Sequence, residues 1–140
     1  MNYTIQELIP HAKPFLFVDS IEIGKDEAIY GYQSFEPDEY AVQKGEISPF
    51  LIVEALAQTM AAGQGLFSRQ EGKKPPMGML VGAEGFTFKE SPVPGEKIIL
   101  KVKLETAIGP YRIIWGEAFQ KKALIAQGRL KFFLQENENK

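Results

Sequence analysis

Cysteine is absent from the 140 residues, and histidine occurs once, as His11. The first absence excludes a disulfide framework, a thiolate metal site and a cysteine nucleophile. The single imidazole leaves too few ligands for a His-rich metal centre or a two-histidine zinc motif, so no metal is expected. Charge of one sign is also lacking. Sixteen basic residues against 18 acidic ones give −2, and nothing global attracts nucleic acid or an anionic membrane. The start, MNYTIQELIPH, has neither a basic n-region nor a continuous apolar h-region and does not read as a signal peptide. No apolar run is expected to span a bilayer, because Glu54 and Gln58 interrupt the best candidate. A cytoplasmic location is the expectation.

What is present suits a single domain over residues 1–140, long enough to bury roughly two-thirds of its unfolded surface. Residues 14–24, PFLFVDSIEIG, are apolar and β-branched and read as a strand; residues 27–35, EAIYGYQSF, read as its hairpin partner. Residues 36–47 have no sustained period and read as a loop. From Pro49 to Gln70 the chain is apolar around nearly its whole circumference. Ser48 is placed as N-cap, Pro49 at the first helical position and Gly72 just beyond the end. A helix with so little polar face belongs at the centre of a domain. Strands follow at 77–88, 96–106, 111–120 and 123–134, with turns that suit an antiparallel meander. The pattern is α+β, with a curved antiparallel sheet wrapped around one long helix. Ala55, Ala57, Ala61, Ala62, Gly63 and Gly65 keep that helix thin enough for close approach. This is the hotdog architecture as a physical proposition. Such a sheet leaves open edges, and edges of this kind commonly join to make a dimer.

Glu54 and Gln58 carry the strongest chemical signal. Four residues apart in LIVEALAQ, they share one face of an otherwise apolar helix. Burying a carboxyl costs several kcal/mol unless it is paired or held protonated, which is a common state of acid catalysts. The alternative is a structural Glu at a dimer seam, bonded to a backbone amide.

Three ordered segments resemble the β-hydroxyacyl-[acyl-carrier-protein] dehydratases of the FabA/FabZ type: IPHAKPFLFVDSIEI, LIVEALAQ and VGAEGFTFKESPVPGEKIIL. The resemblance runs from about Ile9 to Leu134. It implies elimination of water from a 3-hydroxyacyl thioester borne by acyl carrier protein or coenzyme A, in fatty-acid-type biosynthesis, with no cofactor. In that family a histidine removes the C2 proton, and a helix carboxyl from the other subunit protonates the departing hydroxyl. A backbone N–H at the helix start holds the thioester carbonyl. Glu54 matches the carboxyl and Gln58 the polar residue one turn later.

The rest of the family pattern is altered. The family histidine stands fourteen residues before the carboxyl, where this chain has Tyr40. A tyrosine, with an ordinary pKa near 10, is a poor base at neutral pH. Asp38 and Glu39 are the possible replacement bases. The carbonyl-binding glycine, five residues before the carboxyl, corresponds to Pro49, which has no N–H to donate. His11 falls in the family's Pro-His segment and is expected to be structural. Pro49 and Phe50 at the helix start, with Arg69, Lys73 and Lys74 after its end, are candidates for contact with substrate, with an acidic carrier or with the phosphate of its pantetheine arm. The alternative for these cations, and for the pair Lys121 and Lys122, is a solvated turn.

The expectation is therefore a hotdog protein holding an acyl thioester at a dimer interface. A homodimer, a higher oligomer or a heterodimer with a histidine-bearing relative would each supply that interface. Three activities stay open. One is dehydration, one is thioester hydrolysis with Glu54 activating water, and the last is a non-catalytic partner role.

Overall fold

A computed structural model of the chain describes residues 3–10, 13, 15–73 and 77–135. The elements are α1 (Ile5–Leu8), β1 (Ser20–Ile23), β2 (Ile29–Gln33), β3 (Val42–Gln43), β4 (Glu46–Ile47), α2 (Pro49–Gln70), β5 (Met77–Phe88), β6 (Ile98–Ile108), β7 (Tyr111–Gln120) and β8 (Ala123–Gln135). Six strands form one antiparallel sheet in the order β1-β2-β6-β7-β8-β5. β6, β7 and β8 are the expected meander, and α2 packs against β1, β2, β5, β6 and β7.

The long helix begins and ends as its sequence predicts. Ser48 accepts the Phe50 N–H, and Pro49 occupies the first turn where a missing N–H costs no intrahelical bond. At the other end Gly72 takes φ +70, with Gly72 N–H donating to the Arg69 carbonyl and Lys73 N–H to the Ser68 carbonyl. Ile52, Ala55, Leu56 and Ala62 are at most 1% exposed and face Leu100, Val102, Ile114 and Leu130 in one core. Each large aliphatic side chain among them contributes roughly 1.5–3 kcal/mol. By length and composition Pro49–Gln70 is apolar enough to cross a membrane despite Glu54 and Gln58, contrary to the reading above. Its apolarity is explained by the sheet folded around it.

The small residues work as expected, though one serves a different neighbour. A side chain at Gly63 would strike Ile29 of β2. A Cβ at Gly65 would lie 2.5 Å from the Leu8 carbonyl oxygen, so this glycine admits α1 rather than the sheet. Residues 5–8 were not assigned from sequence. They form one turn closed by a capping box between Thr4 and Glu7.

Two boundaries differ more. The first predicted strand shrinks to β1, because residues 15–19 give their backbone groups elsewhere. The Phe17 N–H donates to Gln58 and only the Asp19 N–H reaches β2, at the Tyr32 carbonyl. The predicted loop 36–47 contains the small hairpin β3–β4, turned by Lys44 and Gly45 at φ 55 and 74.

Candidate active site on the central helix

Gln58 is 2% exposed and all of its amide is in use. Its Oε1 accepts the Phe17 N–H at 2.7 Å, and its Nε2 donates to the Phe15 carbonyl at 2.8 Å and to Glu54 Oε1 at 3.3 Å. This set allows one orientation of the amide, because the opposite flip would face a carbonyl and a carboxylate with an oxygen. Gln58 thereby ties the PFLFVD segment to the helix and aims the Glu54 carboxyl. Glu54 is half-buried rather than buried, and its bond is to a side-chain amide rather than to the backbone amide considered above. With Oε1 accepting, a proton on this carboxyl sits on Oε2.

The first backbone N–H groups of the helix are missing or already engaged. Pro49 has no N–H, Phe50 N–H is taken by Ser48 Oγ, and Leu51 N–H donates to the Ser48 carbonyl at 3.0 Å. Phe50 itself is 81% exposed.

The segment before the helix carries the three candidate bases. Tyr40 is 71% exposed in a turn, and its polar contact is the carbonyl, which accepts from Gln43. Glu39 closes its own turn by accepting the Glu36 N–H at 3.1 Å. Asp38 is exposed. Within one subunit the structure brings Glu54 and Gln58 together and places Tyr40, Glu39 and Asp38 in the turn before the helix.

The proposed carrier cations separate in the same way. Arg69 has a structural contact: its Nη2 donates to the Glu7 carbonyl at 2.6 Å, and the guanidinium lies over the Tyr3 ring. Lys73 is exposed and pairs with Glu71 at 3.2 Å. Lys121 pairs with Glu96 at 3.0 Å. His11 and Lys74 lie outside the described residues. Sequence reasoning missed the role of the Phe15–Phe17 backbone, whose signal was an apolar run read as a strand. Among the described residues no group of acidic side chains and histidines is arranged to hold a metal.

The last strand of interest is β5. It stands at the sheet edge, bonded only to β8, and is exposed along most of its length, with Met79 and Val81 both more than half exposed.

A family model described as ApeP-like, ApeP dehydratase, matches residues 3–140. A 3-hydroxyacyl-[acyl-carrier-protein] dehydratase FabZ from Lactococcus lactis subsp. cremoris is 37% identical, covering 93% of this chain and 92% of its own. Among solved structures, the dehydratase heterocomplex ApeI:P from Xenorhabdus doucetiae superposes with a TM-score of 0.86 at 16% identity, covering 99% of this chain and 94% of that one. A hypothetical thioesterase with coenzyme A from Streptococcus pneumoniae gives 0.66 at 6% identity, covering 86% and 88%. The fold is the hotdog fold, and the chain belongs to the ApeP-like dehydratase family.

Proposed function

We propose that this chain is the carboxyl-bearing subunit of a heterodimeric, cytoplasmic dehydratase that acts on 3-hydroxyacyl thioesters. One observation carries the reading: the acid half of the site is built, with Glu54 held by Gln58, while Tyr40 stands where the family has its histidine and Pro49, with no N–H, where it has its carbonyl-binding glycine. Similarity to FabZ dehydratases supports the reaction, and the ApeI:P heterocomplex supports assembly with a second subunit. The unpaired edge of β5 is where a partner strand would extend the sheet.

In this reading the partner's histidine takes the C2 proton of the substrate. The C3–O bond breaks as Glu54 Oε2 delivers its proton to the departing hydroxyl, giving water and an enoyl thioester. A general base is worth about 10²–10⁴-fold and one oxyanion donor about 10²–10³-fold, so a homodimer lacking both is slow. The test compares this chain, a histidine-bearing dehydratase subunit and their equimolar mixture on a 3-hydroxyacyl thioester. The mixture should exceed either alone, and Glu54→Gln in this chain should remove the gain. A mixture unaffected by Glu54→Gln refutes the assignment. The likeness to a thioesterase favours a second reading, hydrolysis with Glu54 activating water. It predicts release of free thiol from this chain alone, and release unchanged in Glu54→Gln excludes it.

A further inference from the structure

The side of the sheet turned away from α2 carries more than solvated charge. A Cβ at Gly31 would strike Thr59 and one at Gly116 would touch Leu56, so their neighbours Tyr30, Tyr32, Trp115 and Glu117 point outward. Cross-strand register then orders this outer face in bands. One end is apolar, with Tyr32, Ile99, Phe119 and Leu124 in line across four strands. The other end is apolar too, with Tyr111, Phe133 and Met79 in line. None of these side chains is buried. Charge fills the middle. Toward the first end stand three carboxylates, Glu22, Asp26 and Glu117, against the ammonium groups of Lys97 and Lys101. Toward the second stand three cations, Lys103, Arg129 and Lys131, against the carboxylates of Glu84 and Glu105. Four of the five cation–π pairs among the described residues lie on this face, at 4.8–5.6 Å. A domain of this length holds about two in all, so the aromatic rings and cations are concentrated here.

We propose that this face packs against the same face of a second copy of the chain, the two related by a two-fold axis running across the strands. Such an axis lays the end rich in carboxylate on the end rich in cation, and apolar band on apolar band. Tyrosine, tryptophan, phenylalanine and arginine are the side chains that protein interfaces favour. The two charge excesses cancel over the whole face, so a nucleic acid finds no net positive charge to release its counterions. Area agrees as well. With strands about 4.8 Å apart and rising about 3.4 Å per residue, the face spans roughly 800 Å². One partner of a standard interface buries about that much. The backbone groups of the β5 edge stay free in this contact, so the inference is independent of the two-subunit reading. With a partner strand added at β5, the face joins two heterodimers into a four-subunit assembly.

Trp115 is the single tryptophan and lies mid-face, so it reports the contact directly. The full chain is followed across a concentration series by sedimentation velocity and by tryptophan emission. The emission should move to the blue over the range in which the sedimentation coefficient rises. A chain carrying Lys103→Glu with Lys131→Glu, and another carrying Glu117→Lys, should each self-associate at least about tenfold more weakly, because like charges then meet. These side chains are exposed or partly exposed, so the fold survives. Mixing the two variants should restore association, since each supplies the charge that the other has lost. A sedimentation coefficient independent of concentration overturns the proposal. A rise with Trp115 emission unchanged also overturns it and assigns self-association to β5. Variants that associate like the parent, or that stay weak when mixed, refute the two-fold pairing. An emission change on adding oligothymidylate, with none on raising protein concentration, gives the face to single-stranded nucleic acid instead.

Discussion

Replacing Gln58 by Leu removes three hydrogen bonds and preserves most of the side chain's volume. The bond to the Phe17 N–H is buried and 2.7 Å long, and leaving that donor unpaired costs about 1–3 kcal/mol. The Phe15 carbonyl belongs to a residue 62% exposed and regains water, so its loss adds about 0.5–1 kcal/mol. The sum is about 1.5–4 kcal/mol, or a fall in Tm of roughly 5–15 °C for a domain of this size. Urea titration followed by tryptophan fluorescence measures it, since Trp115 is the single tryptophan. Gln58→Glu separates the parts. It keeps an acceptor for Phe17 but loses both donors and sets a second carboxyl against Glu54, so its loss should deepen as pH rises through the carboxylate range. In the heterodimer proposed above both variants should slow dehydration beyond their effect on folding, because Glu54 is no longer aimed. A Gln58→Leu protein within about 0.5 kcal/mol of the parent refutes the reasoning, since no surface-like cost fits a buried donor left unpaired.

Two further outcomes follow from local geometry. Lys121 and Lys122 turn the β7–β8 hairpin at φ 52 and 65, and Lys122→Gly should raise stability by about 1 kcal/mol in the same urea titration, while Lys121 keeps its pair with Glu96. The Tyr32 hydroxyl donates to Glu22; that bond, then burial, raises its pKa from 10.0 to about 12. The group is protonated in the fold where the unfolded chain would ionise it. Its stabilisation is whole below pH 10 and lost between pH 10 and about 12, and Tyr32→Phe should flatten that part of the stability profile.

The long helix was legible because three signals coincide at its ends, Ser48, Pro49 and Gly72, and because its apolar circumference has only one place in a small domain. The meander was legible from strand period and turns. The short strand β1 was not, since strand period assumes that backbone groups pair with a neighbouring strand, and a glutamine side chain forty-one residues away takes the Phe17 N–H instead. The site divides along the same line. Glu54 and Gln58 are visible because polar residues on an apolar helix are costly and therefore informative. The contact of Arg69 was not legible, because a cation after a helix looks the same in sequence whether it meets solvent or, as here, the Glu7 carbonyl.

The open edge of β5 also bears on how the chain must be made. Twelve residues long and mostly exposed, it presents a row of unpaired backbone groups with Met79 and Val81 beside them. Two register shifts, at Leu80/Gly82 and Glu84/Thr87, and the single charge of Glu84 are its only defences against indiscriminate strand addition. A polypeptide with such an edge is safest when its counterpart is already folded nearby. On the two-subunit reading proposed above, co-expression with a partner should raise the soluble yield of this chain over that obtained from its expression alone.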